Sequence, residues 1–147
     1  MSVLNTTEIM DLIPNRYPIL YIDKVDELIP GEKVVATKNV TINENYFQGH
    51  FPGNPVMPGV LIIETMAQTA SILILKSEQY KDKTAYLGEI KGAKFRKMVK
   101  PGDVVRFEVT MGKQKKNMGQ VDCTAYVGDK KACSAQLTFI VPDVKRK

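Results

Sequence analysis

Two side chains that could exchange protons lie close together in the chain, His50 and Glu64. His50 is the only histidine, and histidine is the side chain that gains and loses a proton near neutral pH. Glu64 is the only charged residue between Val60 and Leu75, a segment that otherwise contains apolar residues, threonine, glutamine and serine. A carboxyl group in such surroundings is expected to lose solvation and to favour its protonated form. A histidine base beside a neutral carboxylic acid could move two protons in one reaction.

The segment that joins these two side chains is rich in residues that restrict or release the backbone. Its prolines and glycines are Pro52, Gly53, Pro55, Pro58 and Gly59. Each proline fixes its own φ and restricts the residue before it, while glycine permits approaches that a Cβ would block. A lone loop histidine is usually just solvated, and a lone glutamate on an apolar helix usually reaches water. The constrained loop instead indicates that His50 is held in place for chemistry.

Length and composition limit the class of protein. With 147 residues, the chain is long enough for a substantial core, and we expect residues 1–147 to form a single domain. A hydrophobic fraction of 44% and a charged fraction of 25% are typical of soluble globular proteins. Residues 1–7 lack the basic region and following apolar run of a signal peptide. Residues 60–75 are too few for a membrane span and include Glu64 and Gln68, which predicts a buried helix and no membrane partner.

The two cysteines do not indicate a disulfide or a metal site. If a two-residue turn at Gly128-Asp129 joins their strands, Cys123 faces Ser134 and Cys133 faces Thr124, so the thiols point to opposite faces. Both are then expected to be buried thiols in a reducing compartment. One histidine and two separated cysteines offer no metal-ligand cluster, so no metal is predicted.

The charge balance is basic. Twenty-one basic and 16 acidic residues give a net charge of +5, which suits an acidic partner. The densest lysine groups span residues 91–100, 113–116 and 145–147, and the last group is predicted to be a frayed tail. No nucleic-acid-reading motif accompanies these groups, so no nucleic-acid partner is predicted.

The remaining sequence predicts the elements that position His50 and Glu64. Asn5 and Glu8 form a capping-box pattern for a short helix that ends at Pro14. A long helix, apolar nearly all round, is predicted from Gly59 to about Glu78. Strand-like segments span residues 19–29, 33–40, 84–90, 93–96, 104–111, 120–127 and 132–141. Apolar residues alternate with polar ones in residues 105–111 and 121–127, and turns are predicted at Lys116-Asn117 and Gly128-Asp129.

These elements amount to about five or six half-buried antiparallel strands and one long helix. A helix that is apolar on all sides must be wrapped by other structure. The compact solution is an α+β fold in which a curved antiparallel sheet folds around the helix.

Residues 49–68 read GHFPGNPVMPGVLIIETMAQ. This stretch resembles the signature of the FabZ-type β-hydroxyacyl-(acyl carrier protein) dehydratases of bacterial fatty acid synthesis. Three flanking segments extend the resemblance over nearly the whole chain: IPNRYPILYID at 13–23, NENYF at 43–47 and FRKMVKPGD at 95–103. Asn15 and Thr65 depart from the residues that the family often has. Glutamate at position 64 favours the non-isomerising type over the related dehydratase that also isomerises and usually carries aspartate there.

The resemblance implies a fold, an assembly and a reaction. The fold is the hot-dog fold, with a long central helix wrapped by a curved antiparallel β-sheet. The assembly is a homodimer whose sheets join edge to edge, often built into a trimer of dimers, with each site shared across the two-fold axis. The reaction is the cofactor-free dehydration of (3R)-3-hydroxyacyl-(acyl carrier protein) to the trans-2-enoyl thioester in the cytoplasm.

The resemblance also implies residue roles. His50 is the base at C2, oriented by a backbone carbonyl near Val56, and Glu64 is the acid for the 3-hydroxyl. The N–H of Gly59 points at the thioester oxygen, although Gly59 could equally be a plain helix-start glycine. Gln68 lies one turn after Glu64 and either orients it or is an ordinary core amide.

Two larger sets of residues are assigned by the same resemblance. The candidate walls of an acyl tunnel are Tyr17, Phe47, Phe51, Met57, Ile62 and Met66, for each of which core packing is the alternative. The candidate docking residues for the acidic carrier protein are Arg96, Lys97 and Lys100, for which a solvated basic face is the alternative. A thioesterase and a non-catalytic acyl-binding module remain alternative functions, because a fold does not fix its chemistry.

Overall fold

Six strands form one antiparallel sheet that packs on a long helix. The computed structural model describes residues 2–147. The strands are β1 (Lys24–Ile29), β2 (Lys33–Asn39), β3 (Tyr86–Phe95), β4 (Val104–Lys115), β5 (Met118–Val127) and β6 (Lys130–Ile140). Their order in the sheet is β1-β2-β4-β5-β6-β3. Every neighbouring pair is antiparallel, so the α+β arrangement predicted from the pattern is confirmed.

The short helix α1 (Thr6–Leu12) begins as its sequence predicts. The Asn5 side chain accepts a hydrogen bond from the N–H of Glu8 at 2.9 Å, and the Glu8 carboxylate accepts one from the N–H of Asn5 at 3.0 Å. This reciprocal pair satisfies two donors that the first helical turn leaves open. The helix ends immediately before Pro14, because the residue before a proline avoids helical conformation.

The long helix α2 (Gly59–Leu75) is buried against the sheet and ends earlier than predicted. It packs on β2, β4, β5 and β6, as an apolar helix must. Residues 76–79 are exposed, so no packing continues the helix there. The Ser77 hydroxyl donates to the backbone oxygen of Ile74, which competes with further helical hydrogen bonds. A separate 3₁₀ turn, Glu78–Tyr80, follows.

The predicted strand at residues 19–29 is correct only from Lys24 onwards. The earlier part is fastened to α2 instead of to a strand. The N–H of Tyr21 donates to the side-chain oxygen of Gln68 at 2.9 Å, and the Gln68 nitrogen donates to the backbone oxygen of Ile19 at 2.8 Å. A helix side chain therefore takes the place of a sheet neighbour.

The predicted strands at 84–90 and 93–96 are one strand, β3. Its register against β6 shifts between Lys91 and Lys94. Gly92 lies inside this irregularity with φ of +60°, a conformation that glycine adopts without a Cβ clash. The sequence predicted two strands with a break between them, but the chain forms a β-bulge there and the strand continues.

The predicted turns are confirmed, because β4 leads to β5 through Lys116-Asn117 and β5 leads to β6 through Gly128-Asp129. The predicted pairing of the cysteines is wrong. Cys133 lies opposite Ala125 and Cys123 lies opposite Ala135.

A β-bulge explains the difference in cysteine pairing. Tyr126 pairs with Lys131, but Ala125 pairs with Cys133, so Ala132 is an extra residue that shifts the register by one. Cys123 and Cys133 therefore point to the same face, and both are buried and free. Burial raises the pKa of both thiols.

The prediction of a frayed C-terminal tail is also wrong for Arg146, which is half-buried. Its backbone N–H donates to the oxygen of Asp82 at 2.7 Å, and its guanidinium donates to the oxygen of Leu12 at 3.2 Å. Lys83 and Asp143 form an ion pair of 2.7 Å beside this contact. The tail thus ties the end of α1 to the loop after α2, and composition alone gave no sign of these backbone acceptors.

The core fills the space between α2 and the inner face of the sheet. Val105, Phe107 and Val109 of β4 are each at most 1% exposed, which confirms the predicted alternation. Within residues 2–147, the helices fall short of the length and apolar character required to cross a membrane.

Candidate active site

His50 sits on a loop that closes on itself. The 3₁₀ helix Asn45–Gln48 precedes it, and the His50 N–H donates to the oxygen of Tyr46 at 3.0 Å. The N–H of Val56 donates back to the oxygen of His50 at 3.0 Å. The next backbone contact joins the N–H of Met57 to the oxygen of Val99 at 2.8 Å. Prolines and glycines between these points restrict the loop to few shapes.

The His50 ring is fixed in one tautomer. Nδ1 lies 2.7 Å from the backbone oxygen of Val56. A carbonyl oxygen only accepts hydrogen bonds, so Nδ1 carries the hydrogen and donates it. Nε2 of the neutral ring is then left with a free lone pair. The ring also stacks on Phe51, with 3.9 Å between ring centroids.

A cleft of about 510 Å³ opens beside this ring. Its lining residues are His50, Val56, Met57, Gly59, Ile62, Phe95, Arg96, Lys97, Met98 and Val99. The structure therefore brings together the predicted base, the helix-start glycine and two of the predicted docking residues. Sequence reasoning missed Phe95 and Met98 as lining residues, because a strand end and its loop carry no local signal for a cleft.

Gly59 begins α2 and leaves no room for a larger residue in this arrangement. A Cβ on Gly59 would lie 2.6 Å from a ring carbon of Phe95. The close approach of Phe95 is therefore a structural reason for glycine here, beside the proposed approach of a thioester. The first N–H groups of a helix have no acceptor within the helix and carry a partial positive charge.

Glu64 and Gln68 lie one turn apart on α2 and are hydrogen-bonded. The Gln68 nitrogen donates to Oε1 of Glu64 at 3.0 Å. The Gln68 amide cannot turn around, because its oxygen accepts from the N–H of Tyr21 and its nitrogen also donates to the oxygen of Ile19. Gln68 thus offers only a donor, so Oε1 of Glu64 is an acceptor and a proton on this carboxyl belongs on Oε2.

A second pocket of about 540 Å³ lies between the segments 17–21 and 41–46 and Leu61. Its lining residues are Tyr17, Pro18, Ile19, Leu20, Tyr21, Thr41, Asn43, Glu44, Asn45, Tyr46 and Leu61. Ile19 and Tyr21 are the two residues that hold Gln68, so the hydrogen-bond partner of Glu64 is held from the wall of this pocket. Across residues 2–147, the two pockets share no lining residue. Within one chain, His50 lines the first pocket, whereas Glu64 lines neither of them.

The six predicted wall residues of the acyl tunnel lie in four different places. Met57 and Ile62 line the His50 cleft, and Tyr17 lines the second pocket, where it is 82% exposed. Phe51 stacks on His50 and is half-exposed. Phe47 and Met66 are buried in the core.

The three predicted docking residues are exposed and lie on the segment that follows β3. Arg96 and Lys97 line the His50 cleft, whereas Lys100 does not. The Lys100 N–H donates to the carboxylate of Asp103 at 2.9 Å, which closes the turn before β4.

A buried ion pair that sequence reasoning missed lies beside the second pocket. Nζ of Lys38 is 2.7 Å from Oε1 of Glu44, and their side chains are only 5% and 17% exposed. The Tyr46 hydroxyl donates to Oε2 of Glu44 at 2.6 Å. A signal was present, because Lys38 follows Val34 and Ala36 at spacings of two in β2 and so lies on the same face of the strand.

One edge of the sheet is open. Strand β3 is the last strand in the order, and all ten of its residues are exposed. Its exposed apolar residues are Tyr86, Leu87, Ile90 and Phe95. An unpaired apolar edge strand is a surface that pairs readily with another strand.

The described residues contain no group of three or more histidine, cysteine or acidic side chains that could hold a metal ion.

Comparison with known proteins identifies the family of this chain. Residues 13–136 match the family model described as a FabA-like domain. A 3-hydroxyacyl-[acyl-carrier-protein] dehydratase FabZ from Lactobacillus helveticus is 74% identical over 147 residues, which is 100% of this chain and 99% of that protein. The protein of the same name from Pediococcus pentosaceus is 70% identical over the same shares.

A solved structure shows the same fold. The dehydratase heterocomplex ApeI:P from Xenorhabdus doucetiae superposes with a TM-score of 0.79 over 92% of this chain and 91% of that one, at 15% identity. The predicted hot-dog fold is confirmed by this likeness. The match over residues 13–136 and the identity of the full-length relatives show that the chain belongs to the FabA-like family, among the FabZ-type 3-hydroxyacyl-[acyl-carrier-protein] dehydratases.

Proposed function

We propose that this protein removes water from (3R)-3-hydroxyacyl groups carried on acyl carrier protein and releases the trans-2-enoyl thioester, in bacterial fatty acid synthesis. The observation that carries the proposal is the 74% identity over the full chain with a relative of that named activity. The chemistry of His50 and Glu64 supplies the two proton transfers that dehydration requires.

His50 is the base of the proposed mechanism. Its Nδ1–H is committed to Val56 at 2.7 Å, so Nε2 takes the proton from C2 of the substrate. The electron pair of the broken C–H bond forms the C2–C3 double bond as the C3–oxygen bond breaks. Negative charge that builds on the thioester oxygen during this step is stabilised by the N–H of Gly59 at the start of α2.

Glu64 is the acid. Hydroxide is a poor leaving group, so the departing 3-hydroxyl takes the proton of Glu64 and leaves as water. Gln68 holds Oε1 of this carboxyl and directs the proton of Oε2 toward the substrate. The proton gained by His50 and the one lost by Glu64 balance, and exchange with water restores both groups.

The active site is proposed to be shared across a two-fold axis, with His50 of one subunit facing Glu64 of the other. Two observations support this arrangement. Within one chain, Glu64 does not line the cleft beside His50 and is held instead through Gln68 by Ile19 and Tyr21, which line the second pocket. Strand β3 has an open apolar edge that suits edge-to-edge pairing with a second copy. Further assembly of dimers into a trimer of dimers is part of the same proposal.

The acyl carrier protein is proposed to dock on the basic residues beside the His50 cleft, namely Arg96, Lys97 and Lys100. Arg96 and Lys97 line the cleft through which a carrier-bound chain would enter. Their charge complements an acidic partner. Tyr17, Phe51 and Met57 are proposed to contact the acyl chain. We also propose that residues 1–147 act as one domain in the cytoplasm, which is supported by the two free, buried thiols.

Incubation with 3-hydroxybutyryl carrier protein tests the function. We expect intact carrier protein with a mass lower by one water, and ultraviolet absorbance of the enoyl thioester without release of free thiol. Release of free thiol as the main event would identify a thioesterase instead. Binding of the acyl thioester without any turnover would identify a non-catalytic acyl-binding protein.

A further inference from the structure

We infer that the buried Lys38–Glu44 ion pair positions the catalytic groups of the dehydration reaction. On one side it holds the segment that leads to His50. On the other side it packs on Tyr21, which fixes the amide of Gln68. The inference rests on the proposed function of the site and adds two positioning residues to it.

Burial makes this ion pair an obligate contact. Lys38 lies near the end of β2 and points inward, as Val34 and Ala36 do. Its side chain is 5% exposed, and its Nζ lies 2.7 Å from Oε1 of Glu44. A buried charge without its partner is costly, so Lys38 and Glu44 stay together. Glu44 is thereby fixed to the sheet.

Glu44 in turn restrains the segment that leads to His50. It immediately precedes the 3₁₀ helix Asn45–Gln48, and its oxygens accept hydrogen bonds from the Tyr46 hydroxyl and the Phe47 N–H. Burial and the hydrogen bond with Glu44 raise the pKa of Tyr46, so its hydroxyl remains a donor. The backbone oxygen of Tyr46 then receives the N–H of His50 at 3.0 Å. A single residue, Tyr46, thus connects the ion pair to His50.

The same pair reaches the acid through Tyr21. Nζ of Lys38 lies 5.1 Å from the centroid of the Tyr21 ring, and that ring packs edge-on against Tyr46. The N–H of Tyr21 is the donor that fixes the oxygen of Gln68, whose nitrogen binds Glu64. One buried pair therefore supports both catalytic side chains of a chain.

Substitutions that remove the charge on either partner test the inference. Glu44→Gln keeps an acceptor for Tyr46 but loses the ion pair, and Lys38→Met keeps the length of the side chain but loses its charge. We expect kcat to fall by about 10- to 100-fold in the folded variants, because small displacements of catalytic groups cost rate. We expect KM to change far less, because Lys38 is buried and both carboxylate oxygens of Glu44 are engaged by Lys38 and Tyr46. Lys38→Arg retains a charge for Glu44 and is expected to recover most of kcat.

A spectroscopic measurement separates positioning from simple stabilisation. His50 is the only histidine, so the imidazole signals of protein labelled with ¹⁵N-histidine belong to it alone. We expect these signals to move or broaden in Glu44→Gln and Lys38→Met. The matched control is Lys83→Met, which breaks another ion pair of 2.7 Å beside the C-terminal tail and is expected to leave kcat and the His50 signals unchanged.

Two outcomes would overturn the inference. One is kcat within about twofold of wild type with unchanged His50 signals in both variants. The other is a loss of activity that only follows the folded fraction measured by thermal unfolding. Lack of turnover by the wild type would instead refute the proposed function, and the His50 spectra would still show whether the ion pair positions the loop.

Discussion

His50 and Val56 are joined twice, through the ring and through the backbone. The ring Nδ1 donates to the Val56 oxygen at 2.7 Å, and the Val56 N–H donates to the His50 oxygen at 3.0 Å. The first contact selects the tautomer, and the second closes the loop that holds the ring. A base with only one available nitrogen and little freedom to turn has much of its alignment fixed before the substrate binds.

Replacing the base is expected to abolish most of the activity. In His50→Ala, we expect kcat to fall by about 10²–10⁴-fold or more, because a positioned base contributes that much. The fold should persist, since only one side-chain hydrogen bond is lost. Rapid kinetics with 3-hydroxybutyryl carrier protein and circular dichroism check both statements. A kcat above about a tenth of the wild-type value lies outside that range and would exclude the role.

Replacing the acid is expected to affect turnover more than binding. Glu64→Gln preserves the shape of the side chain but has no carboxyl proton to give to the leaving hydroxyl. We expect a large fall in kcat with a smaller change in the affinity for substrate. The two quantities are measured by single-turnover kinetics and by titration with a non-reactive acyl carrier protein. Equal losses in both would indicate that Glu64 serves binding and not proton transfer.

The sequence predicted the proximity of His50, Val56 and Gly59 better than it predicted the framework around them. His50, Val56 and Gly59 follow each other on one constrained loop, so their proximity was visible in the order of residues. The contacts of Gln68 with Ile19 and Tyr21 join parts of the chain that are distant in sequence, and no periodicity reveals them. These contacts are why residues 19–23 are not a strand.

The error in the predicted pairing of β5 with β6 has a different cause. The turn at Gly128-Asp129 was predicted correctly, yet one extra residue at Ala132 moved both cysteines to the same face. A β-bulge changes every following pair, and here the two successive residues Ala132 and Cys133 are both buried. Strand patterns therefore predicted which residues are buried but not which ones are neighbours.

The buried cysteines give a test of the observed register. Burial raises the pKa of Cys133 to about 11 and also raises the pKa of Cys123. Both thiols are therefore protonated near neutral pH and are poor nucleophiles. We expect iodoacetamide to leave both unmodified in the native protein and to modify both after unfolding, as measured by intact mass. Rapid modification of either thiol in the native protein would show that it is not on the buried face.

Carrier-protein docking is expected to depend on the basic segment after β3. Reversing charge with Arg96→Glu, Lys97→Glu and Lys100→Glu should impair the carrier-protein substrate more than the coenzyme A analogue, because only the acidic carrier protein is attracted to a basic patch. The difference should shrink as salt rises. This difference is measured as the steady-state kcat/KM of each variant with each of the two substrates.

The control for docking is a charge reversal elsewhere on the surface. Lys113 and Lys115, at the end of β4, and Lys116, in the turn that follows it, are exposed. Their replacement by glutamate changes the net charge equally and should leave the preference between substrates as in wild type. If the Arg96→Glu, Lys97→Glu, Lys100→Glu variant loses kcat/KM equally with both substrates, this segment is only a solvated face.

The proposed sharing of the active site across two subunits can be tested by mixing two inactive variants. His50→Ala lacks the base and Glu64→Ala lacks the acid. If each site takes its base from one subunit and its acid from the other, a heterodimer of the two variants has one intact site and one site that lacks both groups. Activity should then rise from near zero to about a quarter of wild type after equal amounts are unfolded and refolded together, given random pairing. Native mass spectrometry measures the heterodimer fraction, and each variant refolded alone is the control. Confirmed heterodimers without activity would place His50 and Glu64 of the same chain in one site.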